Sequence, residues 1–129
     1  MRIDYGTRAR ALIGTPFRLQ GRSAEGLDCV GVALATFSVP ADKVGRNYRL
    51  RGDHEAEVRA LLIEHFRRVA KRQLRSGDLM LMRVSGDQLH FGVRTDAGFV
   101  HAHAALRRVV ETPGLPTWPL IGIYRKRRK

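Results

Sequence analysis

The sequence contains very little cysteine and no long apolar run. Cys29 is the only cysteine among 129 residues, so an intramolecular disulfide is impossible and the fold does not depend on an oxidising compartment. No stretch approaches 18 apolar residues, and the first ten residues, MRIDYGTRAR, have no continuous apolar segment. We therefore expect no membrane span and no signal peptide, and synthesis as a soluble cytoplasmic product.

Acidic residues are scarce relative to basic ones. Lys and Arg number 24 against 12 Asp and Glu, which gives a formal net charge of +12. Such a charge attracts polyanions such as nucleic acid, anionic lipid or an acidic cell wall, although a solvated arginine-rich surface explains it equally well. The sequence has no helix-turn-helix signal, zinc-finger spacing or aromatic RNA-binding motif, so we expect no specific nucleic-acid partner.

The order of the predicted elements indicates one α+β domain over residues 1–129. Helices are expected at residues 4–13, at CVGVALATF after an N-cap at Asp28, and from Asp53 to Val69, with irregular connections at residues 15–26 and 39–52. Five later segments are typical of strands: DLMLMRV, QLHFGVRT, GFVHAHA, LRRVVET and LIGIYRK. We expect N-terminal helices packed on one face of a C-terminal antiparallel sheet.

Cys29 lies in the first turn of the predicted central helix. Unpaired N–H groups and the positive end of the helix dipole favour a thiolate there, which would lower the thiol pKa below about 8.5. Composition alone favours an inert, buried cysteine, since free cysteine is a common core residue.

Three histidines in the sheet half are the other chemically notable residues. His90 would share a strand face with Gln88, and His101 and His103 would share a face of the next strand. The short turn between these strands could bring His90 close to His101 or His103. Hydrogen-bonded structural histidines, or a zinc site formed by Cys29 and the three histidines, are alternatives.

Four short segments, in order, resemble the NlpC-type cell-wall peptidases of the papain-like cysteine hydrolases. LIGTPFRLQGRSAEGLDCVG is similar to the family's glycine-punctuated loop and Asp-Cys-small-Gly motif. SGDLMLM is similar to its Gly-Asp strand opening, LHFGV to its His-x-Gly strand, and FVHA to its third catalytic strand. The resemblance covers nearly the whole chain and implies a papain-like α+β fold.

The resemblance implies Cys29 as the nucleophile, His90 as the general base and His101 as the residue that orients the imidazole. The third position in the family is typically His, Asn or Gln. The Cys29 backbone N–H would be an oxyanion donor. Asp28, Phe17 and His103 are expected on the oxyanion or substrate side, and neither a metal nor a cofactor is implied.

Two positions depart from the family pattern. Phe17 stands where members commonly have a tyrosine whose hydroxyl is thought to assist the oxyanion hole, which predicts weaker catalysis. Val30 replaces the usual serine after the nucleophile, and we expect that change to affect packing more than chemistry.

The resemblance also implies a substrate and a setting. The family's usual bond joins D-glutamate to diaminopimelate in the peptidoglycan stem. The leaderless format and the segment RRVVETPGLPTW look most like phage-tail cell-wall peptidases, including those of gene-transfer particles, which would carry the enzyme to the wall. Alternatives are a weakly active or inactive structural tail component, and an amidase or acyltransferase acting on another acyl compound.

Overall fold

Helices precede most strands along the chain in the computed structural model, which describes residues 3–19, 21–23, 25–40, 55–85 and 88–127. The helices are α1 (Tyr5–Arg10), α2 (Cys29–Phe37) and α3 (Glu55–His65). The strands are β1 (Arg22–Ser23), β2 (Gly26–Leu27), β3 (Phe66–Val69), β4 (Leu79–Ser85), β5 (Gln88–Arg94), β6 (Gly98–His103), β7 (Arg108–Pro113) and β8 (Leu120–Lys126). None of the helices in these ranges is long and apolar enough to cross a bilayer.

Six strands form one antiparallel sheet in the order β3-β8-β4-β5-β6-β7, and β1 and β2 form a separate small hairpin. One face of the sheet packs against α2 through side chains that alternate along each strand, such as Leu79 and Leu81, or Leu89 and Phe91. The opposite face buries a smaller cluster around Met80, Met82 and Phe99. The predicted α+β architecture is therefore confirmed, as are the five predicted strands.

The predicted third helix is wrong at its C-terminal end. Residues 66–69 leave α3 and form the edge strand β3, which pairs with β8 from Phe66 opposite Lys126 to Val69 opposite Ile123. Phe66 and Val69 are buried with two exposed arginines between them, a three-residue spacing that fits a helix as well as a twisted edge strand. The backbone pairing with β8 makes these residues a strand rather than the last turn of the helix. The predicted start at Asp53 lies outside the described residues.

The other observed element boundaries differ less from the predicted ones. Helix α1 ends at Arg10 rather than at residue 13, and a series of turns follows. The connection predicted at residues 15–26 contains the β1–β2 hairpin and a bridge between Phe17 and Leu27. Of the region expected to be irregular, residues 39–52, only residues 39 and 40 lie within the described part of the chain.

The two edge strands of the sheet, β7 and β3, differ in what lies beside them. Beyond β7, the segment of residues 14–17 continues the hydrogen bonding: Gly14 N–H donates to Val109 O at 2.9 Å, and Val109 N–H donates to Thr15 O at 2.8 Å. Beyond β3, the side chains of Arg67 and Arg68 are exposed. One edge is thus covered by backbone and the other carries charge.

The Gly-Asp pair that opens β4 has a physical role in the fold. Gly77 has a φ of +95°, a conformation that favours glycine. The buried Asp78 carboxylate then accepts two hydrogen bonds from the Arg125 guanidinium, both at 2.8 Å, and one from the Arg75 backbone N–H at 3.0 Å. This ion pair joins the start of β4 to the end of β8.

We predict that Asp78→Asn destabilises the fold by about 2 to 3 kcal/mol, because Arg125 loses the carboxylate that compensates its partly buried charge. Urea unfolding followed by circular dichroism measures the change. The exposed turn residue Asp96 provides the matched control, and Asp96→Asn should change stability by less than about 0.5 kcal/mol. Equal stability of the two variants would contradict the assignment.

Candidate functional site

The start of α2 is buried and sets the position of Cys29. Asp28 is the N-cap, as predicted, and its Oδ1 accepts a buried hydrogen bond from Gly31 N–H at 2.8 Å. A Cβ at Gly31 would lie 2.2 Å from the Gly21 carbonyl oxygen, so only glycine allows this close approach. The local motif Asp-Cys-Val-Gly thus caps the helix and admits a neighbouring loop against it.

Strands β5 and β6 separate beside this helix start. Their backbone ladder contains only Val93 opposite Val100 and Arg94 opposite Phe99, and it does not extend to His90. Beyond the ladder the strands are joined by side chains instead: His90 Nε2 lies 3.0 Å from His101 Nδ1. Helix α2 packs against both strands. The start of α2 and the two histidines therefore come together where β5 and β6 separate.

The histidine pair continues onto a third strand. His101 is 2% exposed, and its Nε2 lies 2.8 Å from the Thr112 hydroxyl oxygen on β7. Because Nε2 of His90 is occupied by His101, Nδ1 is the His90 nitrogen left for a reacting group. Among the described residues, no hydrogen bond to that Nδ1 is found.

A cavity of about 380 Å³ exposes the ends of these elements to solvent. Its walls include Cys29, His90 and His101, together with the residues predicted on the oxyanion or substrate side, Phe17, Asp28 and His103. The Cys29 thiol lies against the backbone of Phe91, the neighbour of His90 in the chain. The structure therefore brings together all six residues that the sequence singled out.

Two wall residues, and one residue behind the wall, contact or flank the histidines without having been assigned a role from sequence. Trp118 stands edge-on to both histidines, with ring centroids 5.6 Å from His90 and 5.9 Å from His101. Gln88 shares the cavity wall, and its predicted strand face with His90 was the one available signal. Thr112 contacts His101 from β7 although it does not line the cavity, and nothing local in the sequence marks it.

His103 does not take part in the histidine pair. Its Nδ1 accepts a hydrogen bond from Leu106 N–H at 3.2 Å, in the turn that follows β6. Its ring centroid lies 5.6 Å from that of His101. Of the two histidines expected near His90, His101 is therefore the one that pairs with it.

Burial dominates the electrostatics of the site. Desolvation first, and the neighbouring Asp28 carboxylate second, raise the pKa of the Cys29 thiol to about 12. Desolvation, with the positive charges of His101 and His103 in second place, lowers the pKa of His90 to about 3. Desolvation and His103 likewise lower the pKa of His101 to about 4. At neutral pH the site holds a neutral thiol and two neutral imidazoles.

The expected low thiol pKa is therefore wrong. Cys29 is at a helix start, as predicted, and backbone N–H groups do lower its pKa, but their effect is smaller than that of burial and of Asp28. The cysteine is 6% exposed, so water does little to stabilise a thiolate. Position at a helix terminus did not reveal how deeply the thiol is buried.

Metal binding was the remaining chemical alternative for these side chains. Within residues 3–19, 21–23, 25–40, 55–85 and 88–127, no cluster of three or more His, Cys, Asp or Glu side chains has an arrangement that could hold a metal ion. His90 and His101 instead form a hydrogen-bonded series with Thr112.

Comparison with known proteins gives one family and one fold. A model of the NlpC/P60 family matches residues 14–116. No curated protein matches the chain. Similar solved structures include the NlpC/p60 domain of the peptidoglycan hydrolase SagA, with a TM-score of 0.60 and 20% identity over 85% of this chain and 86% of that one.

Two further solved structures are longer than this chain. NlpC1 from Trichomonas vaginalis has a TM-score of 0.68 and 18% identity, with 94% of this chain and 42% of that one covered. The peptidoglycan hydrolase RipB from Mycobacterium tuberculosis has a TM-score of 0.59 and 21% identity, with 95% and 62% covered. The chain thus spans less than two thirds of either. At identities this low, the structural similarity shows a shared fold and nothing more. It confirms the predicted NlpC-type α+β architecture.

We predict that alkylation of Cys29 by iodoacetamide accelerates about tenfold per pH unit from about pH 6 to 9, because only the thiolate reacts and the pKa is raised. The rate is followed by intact-mass spectrometry. Asp28→Asn keeps a good N-cap but removes the neighbouring negative charge, so it should lower the thiol pKa and speed alkylation at every pH. A wild-type rate that levels off below about pH 8 would show a lowered pKa and contradict this account.

Proposed function

The chain belongs to the NlpC/P60 family, and we propose that it is a cysteine peptidase acting on cell-wall peptidoglycan. Cys29 is the nucleophile, His90 is the general base and His101 orients the His90 imidazole. The observation that carries this proposal is the 3.0 Å contact between His90 Nε2 and His101 Nδ1, in a cavity whose wall also includes Cys29 at the start of α2.

The proposed mechanism starts from a neutral thiol. As the Cys29 sulfur attacks the scissile carbonyl, its proton passes to Nδ1 of His90, and the carbonyl oxygen becomes an oxyanion that the Cys29 backbone N–H stabilises. His90 then gives that proton to the leaving amine, which departs and leaves a thioester. Water, deprotonated by His90, attacks the thioester and releases the acid and the free thiol.

Proton transfer and attack occur together in this scheme. With the thiol pKa raised to about 12 and the His90 pKa lowered to about 3, a pre-formed thiolate–imidazolium pair is disfavoured. Substrate binding supplies the electrophile that captures the sulfur as it loses its proton. Transfer of the proton to His90 during the attack therefore takes the place of a resting ion pair in this scheme.

We propose more specifically that the substrate is the peptidoglycan stem peptide and that the cleaved bond joins D-glutamate to diaminopimelate. Support comes from the family match and from the structural similarity to two peptidoglycan hydrolases, SagA and RipB. The net charge of +12 favours approach to an anionic wall. We also propose delivery by a phage-tail-like or gene-transfer particle, whose tail proteins would be its partners; this rests on the sequence resemblance alone.

We predict that the purified protein releases stem fragments from muropeptides and that Cys29→Ala and His90→Ala each abolish release, because one removes the nucleophile and the other the base. Liquid chromatography with mass spectrometry identifies the cleaved bond. His103→Gln is the matched control, since His103 lines the cavity outside the histidine pair, and it should retain the cleavage position. Full activity in Cys29→Ala would refute the mechanism.

A second function is favoured by two specific observations. Phe17 brings no hydroxyl to the cavity, and the Cys29 thiol is not activated at rest. A structural component with a weak or inactive site would have both properties. Failure of the wild-type protein to cleave any muropeptide would favour it, whereas turnover of another acyl compound in a substrate screen would favour an amidase or acyltransferase.

We predict that Phe17→Tyr raises kcat about tenfold or more, because a phenol hydroxyl at this cavity wall adds a donor to the oxyanion. Phe17→Leu serves as the control for changes in packing and should not raise kcat. Steady-state kinetics on a defined stem peptide gives the comparison. A Tyr variant no faster than wild type would contradict the assignment of Phe17 to the oxyanion side.

A further inference from the structure

Hydrogen-bond direction matters in the series that links His90, His101 and Thr112. A neutral imidazole has one N–H and one bare nitrogen, so each contact can run in only one direction at a time. For His90 Nδ1 to accept the Cys29 proton, the His90 proton must be on Nε2. His90 Nε2–H then donates to His101 Nδ1, and His101 must carry its own proton on Nε2.

That remaining N–H points at Thr112. Its hydroxyl oxygen lies 2.8 Å from His101 Nε2, and His101 is almost completely buried. The register explains the placement: Thr112 is opposite Phe99 and His101 is opposite Val110, so Thr112 is the diagonal neighbour of His101 on the same sheet face.

We propose that Thr112 is a positioning residue that accepts the Nε2–H of His101 and so maintains His101 as the acceptor for His90. This inference rests on the proposed function for its catalytic meaning. Thr112 acts two hydrogen bonds away from the reacting nitrogen and does not contact the substrate.

Removing the Thr112 hydroxyl reverses the direction of the hydrogen bond between His90 and His101. With valine at 112, an Nε2–H on the almost completely buried His101 would have lost its acceptor, and a buried N–H without an acceptor costs more than a bare ring nitrogen. His101 would instead carry its proton on Nδ1 and donate to His90 Nε2. The His90 proton would then move to Nδ1, the nitrogen that has to act as the base.

The chain offers a matched control for loss of a threonine hydroxyl. Thr36 on α2 is fully buried, and its hydroxyl oxygen has no hydrogen-bond partner among the described residues. Thr36→Val makes the same chemical change as Thr112→Val at a core position outside the cavity. It should leave both kinetics and histidine protonation unchanged.

The test combines kinetics with nitrogen NMR. Thr112→Val should lower kcat about tenfold to a hundredfold with little change in KM, and Thr112→Ser should restore most of it because serine keeps the acceptor. At about pH 8, long-range ¹⁵N–¹H correlation spectra should show His101 protonated on Nε2 in wild type and in Thr112→Ser, and on Nδ1 in Thr112→Val.

The NMR result is independent of activity. If wild type cleaves no stem peptide, the proposed function fails, and the positions of the imidazole protons still decide the role of Thr112. Identical His101 protonation in wild type and Thr112→Val would overturn the proposal. So would an equal loss of kcat in Thr112→Ser and Thr112→Val, since that would indicate a packing role.

Discussion

The buried start of α2 is the constraint on which the rest of the site depends. A helix begins with N–H groups that have no partner within the helix, and here that end is enclosed by the sheet and a loop rather than by water. Asp28 satisfies one of these groups internally through Gly31. Once the helix end is fixed, Cys29, which follows the cap, lies at the wall of the cavity that His90 and His101 also line.

Enclosure and reactivity oppose each other at this position. The packing that encloses Cys29 in the cavity it shares with the histidines also removes the water that would stabilise its anion, and the capping carboxylate adds a negative charge next to it. The same desolvation keeps both imidazoles neutral. A neutral imidazole has a bare nitrogen that can accept a proton, but the lowered pKa makes His90 a weak base, so in the proposed mechanism proton transfer depends on the bond that the sulfur forms with the substrate.

Sequence reasoning succeeded where the signal was local. The period-two strands and the Asp28 cap each depend on a few neighbouring residues. It failed where tertiary context decided: residues 66–69 pair with β8 against a helix-compatible pattern, and depth of burial sets the Cys29 pKa. The place of Thr112 beside His101 depends on strand register between β6 and β7, which periodicity does not specify.

The two outer strands have a consequence for the molecule in concentrated solution. An uncovered strand exposes N–H and C=O groups that can pair with another molecule's strand and seed aggregates. Residues 14–17 occupy that position beside β7. At β3, an approaching copy would bring its own Arg67 and Arg68 close to the same two arginines of this chain. Repulsion between these like charges opposes sheet-to-sheet association, and the repulsion weakens as added salt screens it.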